Sequence, residues 1–350
     1  MRELQNLREL MRTPGDILFY SEHRDYYSYF EGLIDELEVP FKYITSDPKD
    51  PHGFYLNKLL PFWMLVANCK VFIMTMPDLG KFHLRKSIYP VHYVYMFHHM
   101  NSTHMTDRLG AFDNYNSILC CGPHQIEEIR KHEIHYKLSS KILVESGYYR
   151  LEKLYREYQK YTRRGENSTI LIAPSWGKGN IVETCGSRLV GRLLREGYKV
   201  ILRPHIETTK HYPKLLKTFD QFRDMNFTLE ESNSSHSSLL EADLLITDYS
   251  GIGLKYALGT ERPVLFLDAP LKVRNPQWKE LNLIPVELSL RSEIGILLPP
   301  NDMDTILQSV RLLLADKANY KSKLVEIRNK YIFNFGQASK IEAKYIRSLL

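Results

Sequence analysis

Three short runs of the 350-residue chain carry side chains suited to acid–base or phosphate chemistry. They are Phe97, His98 and His99; Arg203, Pro204 and His205; and Thr247, Asp248, Tyr249, Ser250 and Gly251. A neutral imidazole titrates near working pH and can take a proton from a hydroxyl nucleophile, so His98, His99 and His205 are candidate acid–base groups. The third run follows the apolar Leu244, Leu245 and Ile246 and precedes a helical pattern, which reads as strand, tight turn, helix. Such a turn leaves backbone N–H groups available at the helix start, and the helix dipole adds partial positive charge there. Both suit a phosphate. Ser250 taken alone reads equally well as an N-cap, and Asp248 as a turn cap. The loop Pro174 to Asn180 adds Ser175, Trp176 and Lys178. Trp176 can stack on a base or pack between domains, and Lys178 can reach a phosphate or solvate the loop.

Each run lies just beyond an apolar stretch. Asp16–Ser21, Phe41–Thr45, Lys70–Thr75, Pro90–Phe97 and Asn116–Cys121 read as strands, separated by helical patterns at His23–Leu37, Leu56–Ala67 and Gln125–Glu133. A second alternation begins at Thr169–Ala173 and continues through helix Ile181–Glu196, strand Lys199–Leu202, a helix near Tyr212–Phe222, strand Phe227–Leu229 and helix Ser237–Ala242. It then passes through the Leu244 strand to strand Pro263–Asp268, a helix near Met303–Leu314 and a helix beyond Gly336. Alternating strands and helices build parallel sheets, whose ligands bind beyond the carboxyl ends of the strands. All three histidine or serine runs occupy such ends.

The expected fold is therefore α/β and GT-B-like: two doubly wound Rossmann-type domains facing across a cleft. The expected boundaries are 1–147 for an acceptor domain and 148–168 for a helical connector. A nucleotide-binding domain follows at 169–335 and a C-terminal helix at 336–350. Within the connector, Arg163 to Ser168 is the most loop-like run in the middle of the sequence. No GxGxxG follows the first strand, which argues against a dinucleotide dehydrogenase.

Composition narrows the function further. Hydrophobic residues make up 43% and charged residues 25%, as in ordinary globular proteins. The formal charge of +6 is spread rather than gathered into a basic arm, which disfavours nucleic acid and leaves room for a small anionic partner. Cys69, Cys120, Cys121 and Cys185 lack CxxC spacing, so a reducing, cytoplasmic setting is expected and a zinc site is not. The most apolar window, Leu59 to Met76, is broken by Pro61 and Lys70.

The segment SSLLEADLLITDYSGIGLKYALGTERPVLFLD resembles the signature of the CDP-glycerol glycerophosphotransferases, the teichoic-acid primases and polymerases. RPH at Arg203 to His205 is similar to the family's histidine-bearing motif, and FHH at Phe97 to His99 to its aromatic-histidine-glycine motif. The resemblance implies His98 as general base and His205 as a second essential histidine near the diphosphate. It implies Asp248, Ser250 and Gly251 in the CDP-binding turn, flanked by Thr247 and Tyr249. His99 stands where the family usually has glycine and is a second candidate base. Arg203, with His205, would stabilise the departing nucleotide. The implied partners are a CDP-linked donor and a polyol-phosphate or glycan acceptor, which in the family is lipid-linked. No cofactor or metal is required. Contact with the inner membrane face is also implied, for which the sequence offers Leu4, Leu7, Leu10 and Met11 beside Arg2, Arg8 and Arg12. A glycosyltransferase using a nucleotide sugar, and a non-catalytic nucleotide-binding protein of the same fold, are the alternatives.

Overall fold

The computed structural model describes residues 1–162, 167–223, 225–230 and 235–350. Most of the Arg163–Ser168 loop expected from the sequence thus lies outside the described residues. The chain divides into two compact units, Met1–Arg150 with Val273–Leu283 and Tyr331–Leu350, and Leu151–Lys272 with Ile284–Lys330.

The first unit holds β1 (Ile17–Ser21), β2 (Lys42–Thr45), β3 (Phe54–Tyr55), β4 (Val71–Met74), β5 (His92–Met96), β6 (Ser117–Cys120) and β7 (Ile142–Glu145). They form one parallel sheet in the order β3-β2-β1-β4-β5-β6-β7. β1 and β4 are buried at every position because helices cover both faces of a parallel sheet, which is why their sequences are continuously apolar rather than alternating. Ile17, Phe19, Val71, Ile73, Val94 and Met96 pack on Phe30, Leu33 and Leu37 of helix Tyr27–Leu37 and on Ala343 and Ile346 of helix Ala338–Arg347.

The second unit holds β8 (Thr169–Ile172), β9 (Lys199–Leu202), β10 (Phe227–Leu229), β11 (Leu244–Thr247), β12 (Val264–Leu267) and β13 (Gly295–Leu298), parallel in the order β10-β9-β8-β11-β12-β13. Ile170, Ile172, Val200, Leu202, Leu244, Ile246 and Leu265 meet Leu189, Val190 and Leu193 of helix Ser187–Arg195 and Ile306, Val310 and Leu313 of helix Met303–Ala315. Both doubly wound units match the architecture expected from the alternation.

Several expectations are corrected. The units are discontinuous, because side-chain and backbone bonds fasten distant segments to the first one. Arg274 N–H donates to Met105 O at 3.1 Å and Asn275 Nδ2 to His104 O at 2.9 Å, while Arg347 Nη1 reaches Glu36 O at 2.6 Å. The polar helix Tyr149–Lys160 is no free connector: Leu151 and Leu154 are fully buried, and a Cβ on Gly259 would come within 2.6 Å of Leu154. β3, β7 and β13 are sheet-edge strands that do not show as buried apolar runs: β3 has only two residues, and β7 and β13 are only partly covered. Helix Lys317–Tyr331 also escaped, having almost no amphipathic pattern. Helix 181–196 opens with a π-turn at Val182–Gly186. Of the apolar residues in helix Arg2–Arg12, Leu7 and Leu10 are buried in the protein itself, whereas Leu4 and Met11 face solvent. No helix among the described residues is long and apolar enough to cross a membrane.

Candidate active site

In the first unit, β5 delivers His98 and His99 two and three residues past its carboxyl end. The Tyr148 hydroxyl donates to His98 O at 2.9 Å, and Gln125 Nε2 to His99 O at 3.5 Å, so the backbone of the pair is held from two sides. His98 Nδ1 lies 3.1 Å from the carbonyl of Thr75, at the carboxyl end of neighbouring β4. A carbonyl only accepts, so Nδ1 carries the proton and the lone pair of the neutral ring sits on Nε2. Tyr26 and Tyr29 meet the ring edge-on at 5.9 and 6.3 Å, and His99 stands perpendicular at 4.7 Å. Burial first, then the neighbouring His99 and Arg274, push the His98 pKa down to about 3 despite the opposing bond to Thr75. His98 is therefore neutral throughout the physiological range. His99 Nε2 faces Asp107 Oδ2 at 3.5 Å, which gives the second imidazole a carboxylate partner.

In the second unit the carboxyl ends of β8, β9, β11 and β12 bring together most of the remaining candidates. Asp248 is fully buried, and its Oδ1 accepts the backbone N–H of Ser175 at 2.8 Å; Thr247 Oγ1 donates to Ala173 O at 2.6 Å. These two bonds pin the Pro174–Asn180 loop to the turn after β11. Burial raises the Asp248 pKa, opposed by the Ser175 bonds, by Lys272 and by the Ser250 N–H. Ser250 makes no side-chain cap: its N–H turns back to Asp248, its carbonyl accepts the Gly253 N–H at 3.1 Å, and the nine-residue helix Ile252–Thr260 starts from Gly251. Gly253 permits this close packing, because a Cβ there would meet Phe266 at 2.8 Å.

His205 caps the helix Ile206–His211: its Nδ1 accepts the Glu207 N–H at 3.1 Å. An accepting Nδ1 puts the proton of the neutral ring on Nε2, the opposite tautomer from His98. Burial, then Lys272, lower the His205 pKa to about 4. Trp176, 36% exposed, lies 6.1 Å from the His205 ring and carries the Lys272 ammonium 5.1 Å over its own ring.

Not every candidate joins this group. Arg203 is buried and bonded to Ser235 O at 3.2 Å and Ser238 Oγ at 3.0 Å, with Glu230 at 3.8 Å, so its guanidinium braces the fold. Lys178 is exposed. Tyr249 turns toward Asp268, donating to its Oδ1 at 2.8 Å, beneath Arg291, whose Cζ stands 4.2 Å from the ring. Sequence reasoning missed Thr75, Tyr26, Tyr29 and Asp107 around His98, and Asp268, Lys272 and Arg291 in the second unit. The strand-end rule applied to β12 would have flagged Asp268 and Lys272.

The two parallel-sheet units, with the candidate residues at strand carboxyl ends, have the GT-B-type architecture. The model of the CDP-glycerol:poly(glycerophosphate) glycerophosphotransferase family matches residues 98–273, half of the chain. The chain belongs to that family, and its activity is transfer of glycerol phosphate from a CDP-linked donor to a polymer acceptor. No curated protein matches it in a whole-sequence comparison. Among solved structures, the wall teichoic acid polymerase TagF, in a variant soaked with CDPG, aligns with TM-score 0.64 at 14% identity over 99% of this chain and 93% of its own. The UDP-GlcNAc 2-epimerase of Methanocaldococcus jannaschii, in complex with UDP-GlcNAc and UDP, aligns with TM-score 0.58 at 11% identity, covering 96% of this chain and 99% of its own. That of Neisseria meningitidis, bound to UDP-GlcNAc, reaches 0.61 at 13%, covering 96% and 100%. At such identities these likenesses establish the shared fold.

Proposed function

We propose that His98 is the general base of the transfer and that His205 is a hydrogen-bond donor to the donor diphosphate seated at the Ser250–Gly251 turn. The opposite tautomers carry this reading: only His98 offers a lone pair on Nε2, and only His205 offers an Nε2–H. In the reaction the acceptor oxygen bonds to the phosphorus bearing glycerol, and its proton goes to His98 Nε2. The bond from that phosphorus to the bridging oxygen breaks, and the oxygen leaves with its electron pair as part of cytidine monophosphate. His205 Nε2–H and the N–H groups of the turn meet the charge that develops there. Asp248 holds the Ser175 loop in place for this, and Trp176 supplies an aromatic face for cytosine.

A lipid-linked acceptor met at the cytoplasmic face of the membrane fits the family, and the free buried thiols of Cys69, Cys120, Cys121 and Cys185 fit a reducing compartment. The deciding experiment is donor turnover by mass spectrometry with a lipid-linked glycerophosphate acceptor. CDP-glycerol is consumed and cytidine monophosphate released, with CDP but not UDP raising the melting temperature. Turnover of a UDP-sugar instead would replace this reading with a glycosyltransferase. A vesicle-sedimentation assay tests the membrane contact, which fails if the protein stays in the supernatant.

A further inference from the structure

We infer that Asp268 is a substrate-binding residue of this transferase, accepting hydrogen bonds from a vicinal diol of the donor, carried by its ribose or by its glycerol. The inference rests on the seating of the donor at the Ser250–Gly251 turn proposed above. β11 and β12 run parallel with Thr247 opposite Phe266, so two residues further on Tyr249 stands opposite Asp268, both beyond the carboxyl ends of their strands. The Asp268 side chain is 55% exposed, yet the residue is held from three sides. Its backbone N–H donates to Leu298 O of β13 at 2.8 Å. The Tyr249 hydroxyl donates to its Oδ1 at 2.8 Å and accepts from Arg291 Nη2 at 3.3 Å, while Arg291 Nη1 stands 3.6 Å from the same Oδ1. Arg291 is buried, so its positive charge is fixed behind the carboxylate. These side-chain contacts all fall on Oδ1; among the described residues none falls on Oδ2.

An aimed carboxylate with one oxygen to spare selects its ligand by chemistry. It accepts hydrogen bonds and cannot donate them, so phosphate oxygens are excluded and hydroxyls are bound by charge-assisted bonds. CDP-glycerol carries two vicinal diols, and two adjacent hydroxyls match Oδ2 together with the remaining lone pair of Oδ1. The place fits as well. The residues that follow Asp268 lie along the Pro174–Asn180 loop: Pro270 Cγ is 3.2 Å from where a Cβ on Gly179 would stand, and Lys272 Cε is 3.5 Å from one on Gly177. Asp268 thus belongs with both the diphosphate turn, through Tyr249, and the loop whose Trp176 offers its face to cytosine. Neighbouring carboxylates are engaged inside the fold, Asp248 by the Ser175 N–H and Glu230 by Arg203. Asp268 takes no part in the bond that forms or the one that breaks; it orients the molecule that carries them.

The test compares wild type with Asp268→Asn by calorimetry. The ligand pairs are CDP against 2′-deoxy-CDP, and CDP-glycerol against CDP-propanediol, which lacks the glycerol 2-hydroxyl; UDP is the control for the base. Wild type should favour the diol member of at least one pair by about 10- to 100-fold, the worth of a hydrogen bond to a charged group, and Asp268→Asn should lose that preference. A collapse in the first pair puts the ribose on Asp268, and a collapse in the second the glycerol. If Asp268→Asn does not fold, Tyr249→Phe replaces it, since it releases Oδ1 while keeping the charge: a reduced preference supports the inference and an unchanged one overturns it. Equal wild-type affinity within both pairs, or preferences that survive in Asp268→Asn, overturn the inference and leave the donor reading standing. A uniform loss across all ligands overturns it in favour of a structural role, and loss of the preference for CDP over UDP alone in favour of a contact with the cytosine amine. Failure of the wild type to bind any of the cytidine ligands overturns the donor reading and the inference together.

Discussion

His98 and His205 occupy matching places in two sheets of the same kind, each just past the carboxyl end of a strand, yet their surroundings give their rings opposite hydrogen-bond roles. His98 donates through Nδ1 to the Thr75 carbonyl, within a shell of Tyr26, Tyr29 and His99. His205 accepts through Nδ1 from the Glu207 amide and stands next to Trp176. Strand position alone does not assign a histidine its role. The partner of one ring nitrogen decides what the other can do.

Replacement of His98 by Gln is the most severe way to break this contrast. Turnover should fall by about 10²- to 10⁴-fold while CDP-glycerol affinity holds, because a general base acts on the acceptor hydroxyl. Steady-state kinetics beside calorimetry check it, and near-normal turnover would transfer the role to His99. His205→Ala should cost about 10²- to 10³-fold in turnover, the scale seen for a lost oxyanion donor, together with donor affinity. Nitrogen-15 spectra give the most direct view of the pair at neutral pH: a protonated Nδ1 at His98 and a protonated Nε2 at His205. The same tautomer at both would dissolve the comparison.

Stability should show a smaller, shared effect. Both folded-state pKa values lie below the ordinary 6.5, at about 3 and about 4, so the unfolded chain binds more protons in between. Stability is then complete above about pH 6.5 and declines as the pH falls toward the folded values. Melting should drop by roughly 4–8 °C between pH 7 and pH 5 for each unit, and His98→Gln and His205→Gln should each flatten the decline in their own unit. A pH-independent melting curve across that window would contradict the buried, neutral rings. The mildest expected change is Asp107→Asn, which keeps the shape beside His99 and removes its charge. Turnover within about threefold of wild type is expected if His98 is the base, whereas a loss as large as that of His98→Gln would make the His99–Asp107 pair the working one.

Much of this architecture was legible because buried parallel strands are written as short apolar runs, and the residues at their ends are few. β1, β4, β8, β11 and β12 announce themselves in this way, and so do His98, His205 and the Asp248–Gly251 turn. What could not be read were properties created by distant partners. Nothing in the sequence near Arg203 says that Ser235 and Ser238 occupy its guanidinium. Lys272 resembles any surface lysine until Trp176 is seen beneath it. Thr75 lies 23 positions before His98 and contributes only a carbonyl, a group common to every residue. The domain boundaries failed to show for the same reason: hydrogen bonds from Arg274, Asn275 and Arg347 decide to which unit their segments belong.

Helix Ala338–Arg347 covers part of the core on a sheet whose strands were all synthesised at least 193 residues earlier, counting from β7 at Glu145 to Ala338. Without Ala343 and Ile346, the face of helix Tyr27–Leu37 that they cover would remain wet. On the ribosome, the half of the molecule translated first must therefore wait for the half translated last, and the second unit has every opportunity to mature ahead of it. A chain released early would carry a finished second unit attached to an unsealed first one, a ready substrate for proteases.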